Sequence, residues 1–155
     1  MSLRPLLLAM IFLVSGCGLP QRTYQVQVIN ATDQPLSAGL IKSGPPLEDG
    51  WRAPADIALH APPLADRQWG RLVEPRSTVV IGPQTGRFAD QVHAVLRVYA
   101  GNPTIEELLA YRRDDPDRVD VYLWPGPSSY RIERRQGRLV AVRQEPAPAP
   151  ASAGP

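Results

Sequence analysis

The sequence predicts a mainly β domain, an immunoglobulin-like β-sandwich with one short inserted helix. Three observations lead there. Eighteen prolines and twelve glycines among 155 residues punctuate the chain too often for a helical bundle. Several short segments alternate apolar and polar side chains in period two, the mark of half-buried strands. Turn signals separate these segments at intervals of about eight to twelve residues, the spacing of a sandwich, with a small barrel as the competing architecture.

The elements follow in chain order. Tyr24-Gln25-Val26-Gln27-Val28 alternates strictly, with Tyr24, Val26 and Val28 on one face. Asn30 to Pro35 reads as a turn, because Asn and Asp hydrogen-bond nearby backbone and proline presets its own φ. Leu36 to Ser43 is the return strand, with Pro35 at its entrance, where proline is tolerated. Gly44 to Asp66 is irregular, with a strand or a turn of helix around Ile57 to His60. Trp69 to Val73 and Thr78 to Ile81 form two further strands. Gly82 to Gly86 reads as a rigid turn, as does Pro125-Gly126-Pro127.

Val92 to Tyr99 is the central strand: Val92, Ala94, Leu96 and Val98 share one face, and His93, Val95, Arg97 and Tyr99 share the other. In Thr104 to Arg113, Thr104 and Glu107 have capping-box spacing, and Ile105, Leu108 and Leu109 fall on one helical face. This is the short helix, with an edge strand as its alternative, and Pro116 ends it. Val119 to Trp124 alternates again. Tyr130 to Arg134 and Leu139 to Arg143 flank Gln136-Gly137 as a hairpin with a three-residue or bulged turn. Residues 24–145 thus form one domain.

The ends differ in kind from this domain. Leu6 to Val14 is apolar and follows the single charge Arg4, but it is far shorter than the roughly 17–25 residues of a bilayer-spanning helix. Val14-Ser15-Gly16-Cys17 closes it with small residues before the chain's one cysteine. This run resembles the signal segment of bacterial lipoproteins, and Gly18 in the next position resembles their outer-membrane sorting pattern.

The resemblance covers about the first eighteen residues and implies processing, not activity. Residues 1–16 would be removed, and Cys17 would carry lipid on its sulfur and its new amino group. Residues 17–23 would form a lipidated tether. The chain would reside on the outer membrane at its periplasmic face, or on the cell membrane of an organism lacking an outer one. Ordinary secretion with a free thiol is the alternative. Two or more acyl chains give the stable anchoring that one does not. At the other end, 146–155 alternates proline and alanine without a large apolar side chain, a composition that predicts a disordered tail.

Charge excludes one class of partner. Loss of Arg4 leaves sixteen basic side chains against fifteen acidic ones, a balance unlike the concentrated positive footprint of a nucleic-acid binder. Sixteen of the seventeen basic residues are arginine and one is Lys42, which reads as compositional bias.

No coherent chemical constellation stands out. Asp114, Asp115 and Asp117 lack the spacing and glycine of an EF-hand loop and read as a solvated turn with these charges partly paired. His60 and His93 are the only histidines, too few for a zinc site without carboxylate help. No Gly-x-Ser-x-Gly elbow supports a serine nucleophile, and neither glycine-containing turn has the P-loop ending. No catalytic residue, metal or cofactor is therefore assigned.

Trp69 and Trp124 are expected in the core. Trp51, within the Pro/Gly-rich 44–56 loop, either caps the sandwich or presents a contact surface, and is the first candidate binding residue. Arg131, Arg134, Arg135, Arg138 and Arg143 crowd the last hairpin. Arg131 and Arg135 share a face there and are the second candidate, a basic patch for anionic headgroups or an acidic partner; edge protection is the plainer alternative. The expected function is that of a non-enzymatic envelope lipoprotein with a structural or protein-interaction role. The alternative is a small-ligand or glycan binder using the 44–56 loop, with a hydrolase as the third class.

Overall fold

The computed structural model describes residues 18–60 and 67–145. Cys17, the signal segment 1–16 and the tail 146–155 lie outside the described residues. Ten elements follow one another: β1 (Gln21–Asn30), β2 (Leu36–Lys42), α1 (Pro54–His60), β3 (Arg71–Val73), β4 (Thr78–Arg87), β5 (Ala94–Ala100), α2 (Ile105–Leu108), β6 (Arg118–Tyr122), β7 (Gly126–Arg135) and β8 (Arg138–Gln144). They form two four-stranded sheets, ordered β4-β1-β7-β8 and β3-β2-β5-β6. The chain is a mainly β sandwich, and the immunoglobulin likeness lies in this two-layer arrangement. All strand pairs are antiparallel except β1 with β7, which run parallel.

Alternation builds the layer between the sheets. Tyr24, Val26 and Val28 of β1 face Leu36, Ala38 and Leu40 of β2 and Ala94, Leu96 and Val98 of β5 in one buried cluster. Tyr130, Ile132 and Leu139 from the β7–β8 hairpin complete it. Asn30 is buried at the first turn. Its amide nitrogen donates to the Gln34, Val73 and Glu74 carbonyls, and its Oδ1 accepts from the Thr32 N–H and hydroxyl. A buried amide so fully partnered pins the turn between the sheets.

A second apolar layer lies outside the β3-β2-β5-β6 sheet. Ile41, Val95 and Tyr99 pack there under Trp69, Ile105 and Leu108, with Ile57 and Ala58 of α1 beside them. Hence every residue of β2 is buried, as for a strand covered on both faces. Trp69 crosses β2 at Gly39, where a Cβ would stand 2.8 Å from the indole ring. Its edge meets Tyr99 at 5.6 Å between ring centroids, and Tyr99 meets Tyr111 at 5.3 Å.

Several boundaries differ from the sequence reading. The first strand begins at Gln21, not Tyr24, because Gln21 to Thr23 pair with Arg87 to Thr85 of β4. The tether shrinks accordingly. Gly82 to Gly86 is strand, not turn: an extra residue bulges between Ile81 and Gln84, and Pro83 is tolerated because β4 is an edge. Gly82 takes φ 94°, and a Cβ there would approach the Tyr24 carbonyl oxygen to 2.6 Å.

Residues around Ile57 to His60 are helical. The 104–113 helix forms with its capping box but stops at Leu108, where later amides bond three residues back and Tyr111 turns in against Tyr99. Leu109 is consequently exposed. The last hairpin turns in two residues, Gln136 and Gly137, both at positive φ as a type I′ turn requires. Trp124 is 78% exposed and outside the core, because β6 ends at Tyr122 and Leu123 takes the buried position instead.

Candidate functional site

Trp51 does not offer a contact surface. It is 1% exposed and meets Tyr24 and Phe88 edge-on at 5.7 and 5.3 Å between ring centroids. Its Nε1 donates to the Thr85 carbonyl at 3.2 Å. An aromatic residue in a proline-rich loop escapes strand periodicity, so its burial is set by what the loop covers. Here the loop closes one end of the sandwich.

Beneath that closure lies Lys42. The Lys42 side chain is wholly buried and its ammonium donates to the Pro46 carbonyl (3.1 Å), the Arg87 carbonyl (2.6 Å) and the Glu48 carboxylate. The Phe88 and Trp51 rings stand 4.7 and 5.7 Å from the nitrogen. Three acceptors match the three donors of an ammonium, and the aromatic faces contribute the rest of the charge stabilisation. The hydrogen bond from Lys42, followed by that from the Arg87 N–H, holds the Glu48 carboxyl below its usual range. The cage is saturated, so it is a structural clamp between β2, β4 and the 44–56 loop. Sequence reasoning passed over it; its one signal was a lone lysine in an arginine-rich chain.

Arg131 and Arg135 both pair with Glu133 on the same hairpin. Near them, Arg134 bonds Asp117 and the Gly137 carbonyl, and Arg138 donates to the Asp114 carbonyl. These arginines are engaged by local acceptors, and Asp117, 42% exposed and paired with Arg134, belongs to the solvated, partly paired turn that the sequence predicts. Arg97 and Arg118 together grip Asp120 beside Tyr99, with nitrogen–oxygen distances of 2.6 to 3.2 Å. Burial alone would raise the Asp120 carboxyl, but the two guanidinium groups outweigh it and hold it below the ordinary value.

His60 and His93 are exposed: His60 Nδ1 lies 2.7 Å from the Asp56 carbonyl, and His93 stacks edge-on with Tyr122. Among the described residues, no three histidines, cysteines or carboxylates gather as a metal site would need.

A concavity lies apart from these groups. A cleft of about 580 Å³ opens along the β3–β4 side of the sandwich, within the size range of binding sites. Its floor is Ala38, Leu40 and Ile81, all part of the layer between the sheets. Trp69 forms one wall, and Asp49, Arg52, Arg67 and Arg71 form the rim. Asp49 and Arg52 come from the 44–56 loop, where they pair at 3.1 Å.

The cleft exists because β3 is short. It pairs with Leu36 to Ala38 only, after which Gly70 and Trp69 swing outward over Gly39. The Lys42 N–H points away from β5, to the Trp51 carbonyl at 3.2 Å. Strand amides alternate, so the Leu40 N–H and C=O point the same way, into the gap that β3 has left. A strand edge with no partner among the described residues, an apolar floor and a mainly cationic rim can accept an extended chain. Comparison with protein-family models, with curated proteins and with solved structures finds no match.

Proposed function

We propose that the chain is a non-enzymatic envelope lipoprotein that holds a partner protein at the membrane, docking an extended segment of it along the open edge of β2. The anchor in this reading is the acylated Cys17, with the outer membrane and its periplasmic face as the location, or the cell membrane where no outer membrane exists. The observation that carries the docking is the Leu40 backbone facing the cleft where β3 has ended. Adding a strand to such an edge supplies main-chain hydrogen bonds, while alternate side chains enter the floor and rim. The surplus of arginine over aspartate at the rim favours a segment bearing carboxylates.

A photo-crosslinking side chain placed at Arg71 tests this in the native envelope. A discrete protein adduct is expected there and not from the same probe at Arg135. Absence of any protein adduct at the rim overturns the reading. A second reading keeps the same cleft for a small ligand or glycan, favoured by the indole wall of Trp69 beside Asp49 and Arg52. Native mass spectrometry showing a bound small mass, with no protein adduct, selects it.

A further inference from the structure

We propose that the end of the domain where β1 begins is a membrane-docking face, on which Trp124 enters the lipid headgroup layer. This rests on the anchoring at Cys17 and adds to it an orientation. Gln21 pairs with Arg87, so Gly18 to Pro20 are the only residues between Cys17 and the sheet. Three residues span at most about 11 Å. That end must therefore lie against the headgroups, and whatever it exposes meets lipid.

What it exposes is apolar. β1 and β7 run parallel with Tyr24 opposite Gly126, which places the connection before β7, and Trp124 in it, at the end where β1 starts. The Leu123 N–H bonds the Ala94 carbonyl and Lys42 bonds the Arg87 carbonyl, fixing β5, β2 and β4 at the same end. Of the eight exposed large hydrophobic residues among those described, four collect here. They are Leu19 at 41%, Leu47 at 40%, Tyr122 and, at 78%, Trp124.

An indole combines apolar area with an N–H donor, the combination that favours the boundary between acyl chains and water. Charge contributes little: Lys42 and Arg87 share Glu48, and with Arg22 and Asp90 the charges of this end differ by only one, which a phosphatidylcholine surface without net charge scarcely feels. Contact should therefore be insensitive to salt. The arginine-rich β7–β8 tip lies at the other end of ten-residue strands, about 30 Å away and beyond the reach of headgroup attraction at physiological ionic strength.

The test uses full-length processed protein from its native membrane, reconstituted into phosphatidylcholine vesicles with and without bromine on the acyl chains near the headgroups. Trp51 and Trp69 are buried, so Trp124 should dominate contact quenching. Bromolipid is expected to quench emission, Trp124→Phe to remove most of that quenching, and added salt to leave it unchanged. Intact mass of the same preparation reports acylation independently. Acylated protein whose quenching is absent, or is unaltered by Trp124→Phe, overturns the docking face. Absence of acyl mass overturns the anchoring, and the docking with it.

Discussion

At the end where β1 begins, Lys42 is fully buried and its charge is held by two carbonyls, Glu48 and two aromatic rings. At the opposite end, Arg134 of the last hairpin reaches Asp117 in the turn before β6, with both side chains more than a third exposed. The two pairs look alike as salt bridges and differ in what water can do for each partner. Solvent can replace Asp117 beside Arg134. Nothing replaces the acceptors of Lys42 once the loop has closed over it. Position, not pairing, determines how much each charge matters to the fold.

That contrast is most easily broken at Lys42. Lys42→Ala leaves acceptors without their donor and a void beneath Trp51, and is expected to cost about 3–5 kcal/mol in denaturant unfolding. Lys42→Arg should also destabilise. A planar guanidinium brings five donors to a cage with three acceptors and does not match the ammonium it replaces. A full-strength fold in Lys42→Arg would refute the cage as the reason for lysine here.

Asp120 lies between the extremes, about 16% exposed with Arg97 and Arg118 on it. Asp120→Asn is expected to cost about 1–3 kcal/mol at neutral pH. Acid sharpens this. The folded pKa values of Asp120 and Glu48 both lie below their unfolded ones. Their stabilisation is therefore complete above the ordinary carboxylate range, at about pH 5, and lost as pH falls through the depressed folded values. Unfolding midpoints measured from pH 6 to 2 should fall less steeply in Asp120→Asn than in the parent. The smallest effect belongs to the hairpin tip, where Arg134→Ala should lower stability by about 0.2–1 kcal/mol, and less in high salt.

The parts of the fold that local chemistry specifies were legible in the sequence. The alternation of Val92, Ala94, Leu96 and Val98 faces the inner layer as read, and Thr104 and Glu107 close their capping box. The Gln136-Gly137 turn lies where the hairpin required it. What was illegible depends on partners distant in sequence. Gly82-Pro83 looks like a turn until β1 is seen beside it to absorb a bulge. Trp124 leaves the core expected of it and Trp51 takes the capping place that was one of its two readings, because burial follows which loop closes the sandwich and which merely crosses its end. The cleft arises because β3 spans only Arg71 to Val73 and leaves Leu40 without a strand partner on that edge among the described residues, and no motif marks such a gap.

The sealed ammonium has a practical corollary. Lys42 is the only lysine in the chain, and acylation of the new amino group at Cys17 would leave the processed protein without a reachable primary amine. Esters and aldehydes that tag or crosslink amines should then pass over the folded molecule, so surveys of the envelope by such reagents would undercount it. Where Lys42 does react, the label reports that the loop carrying Trp51 has opened.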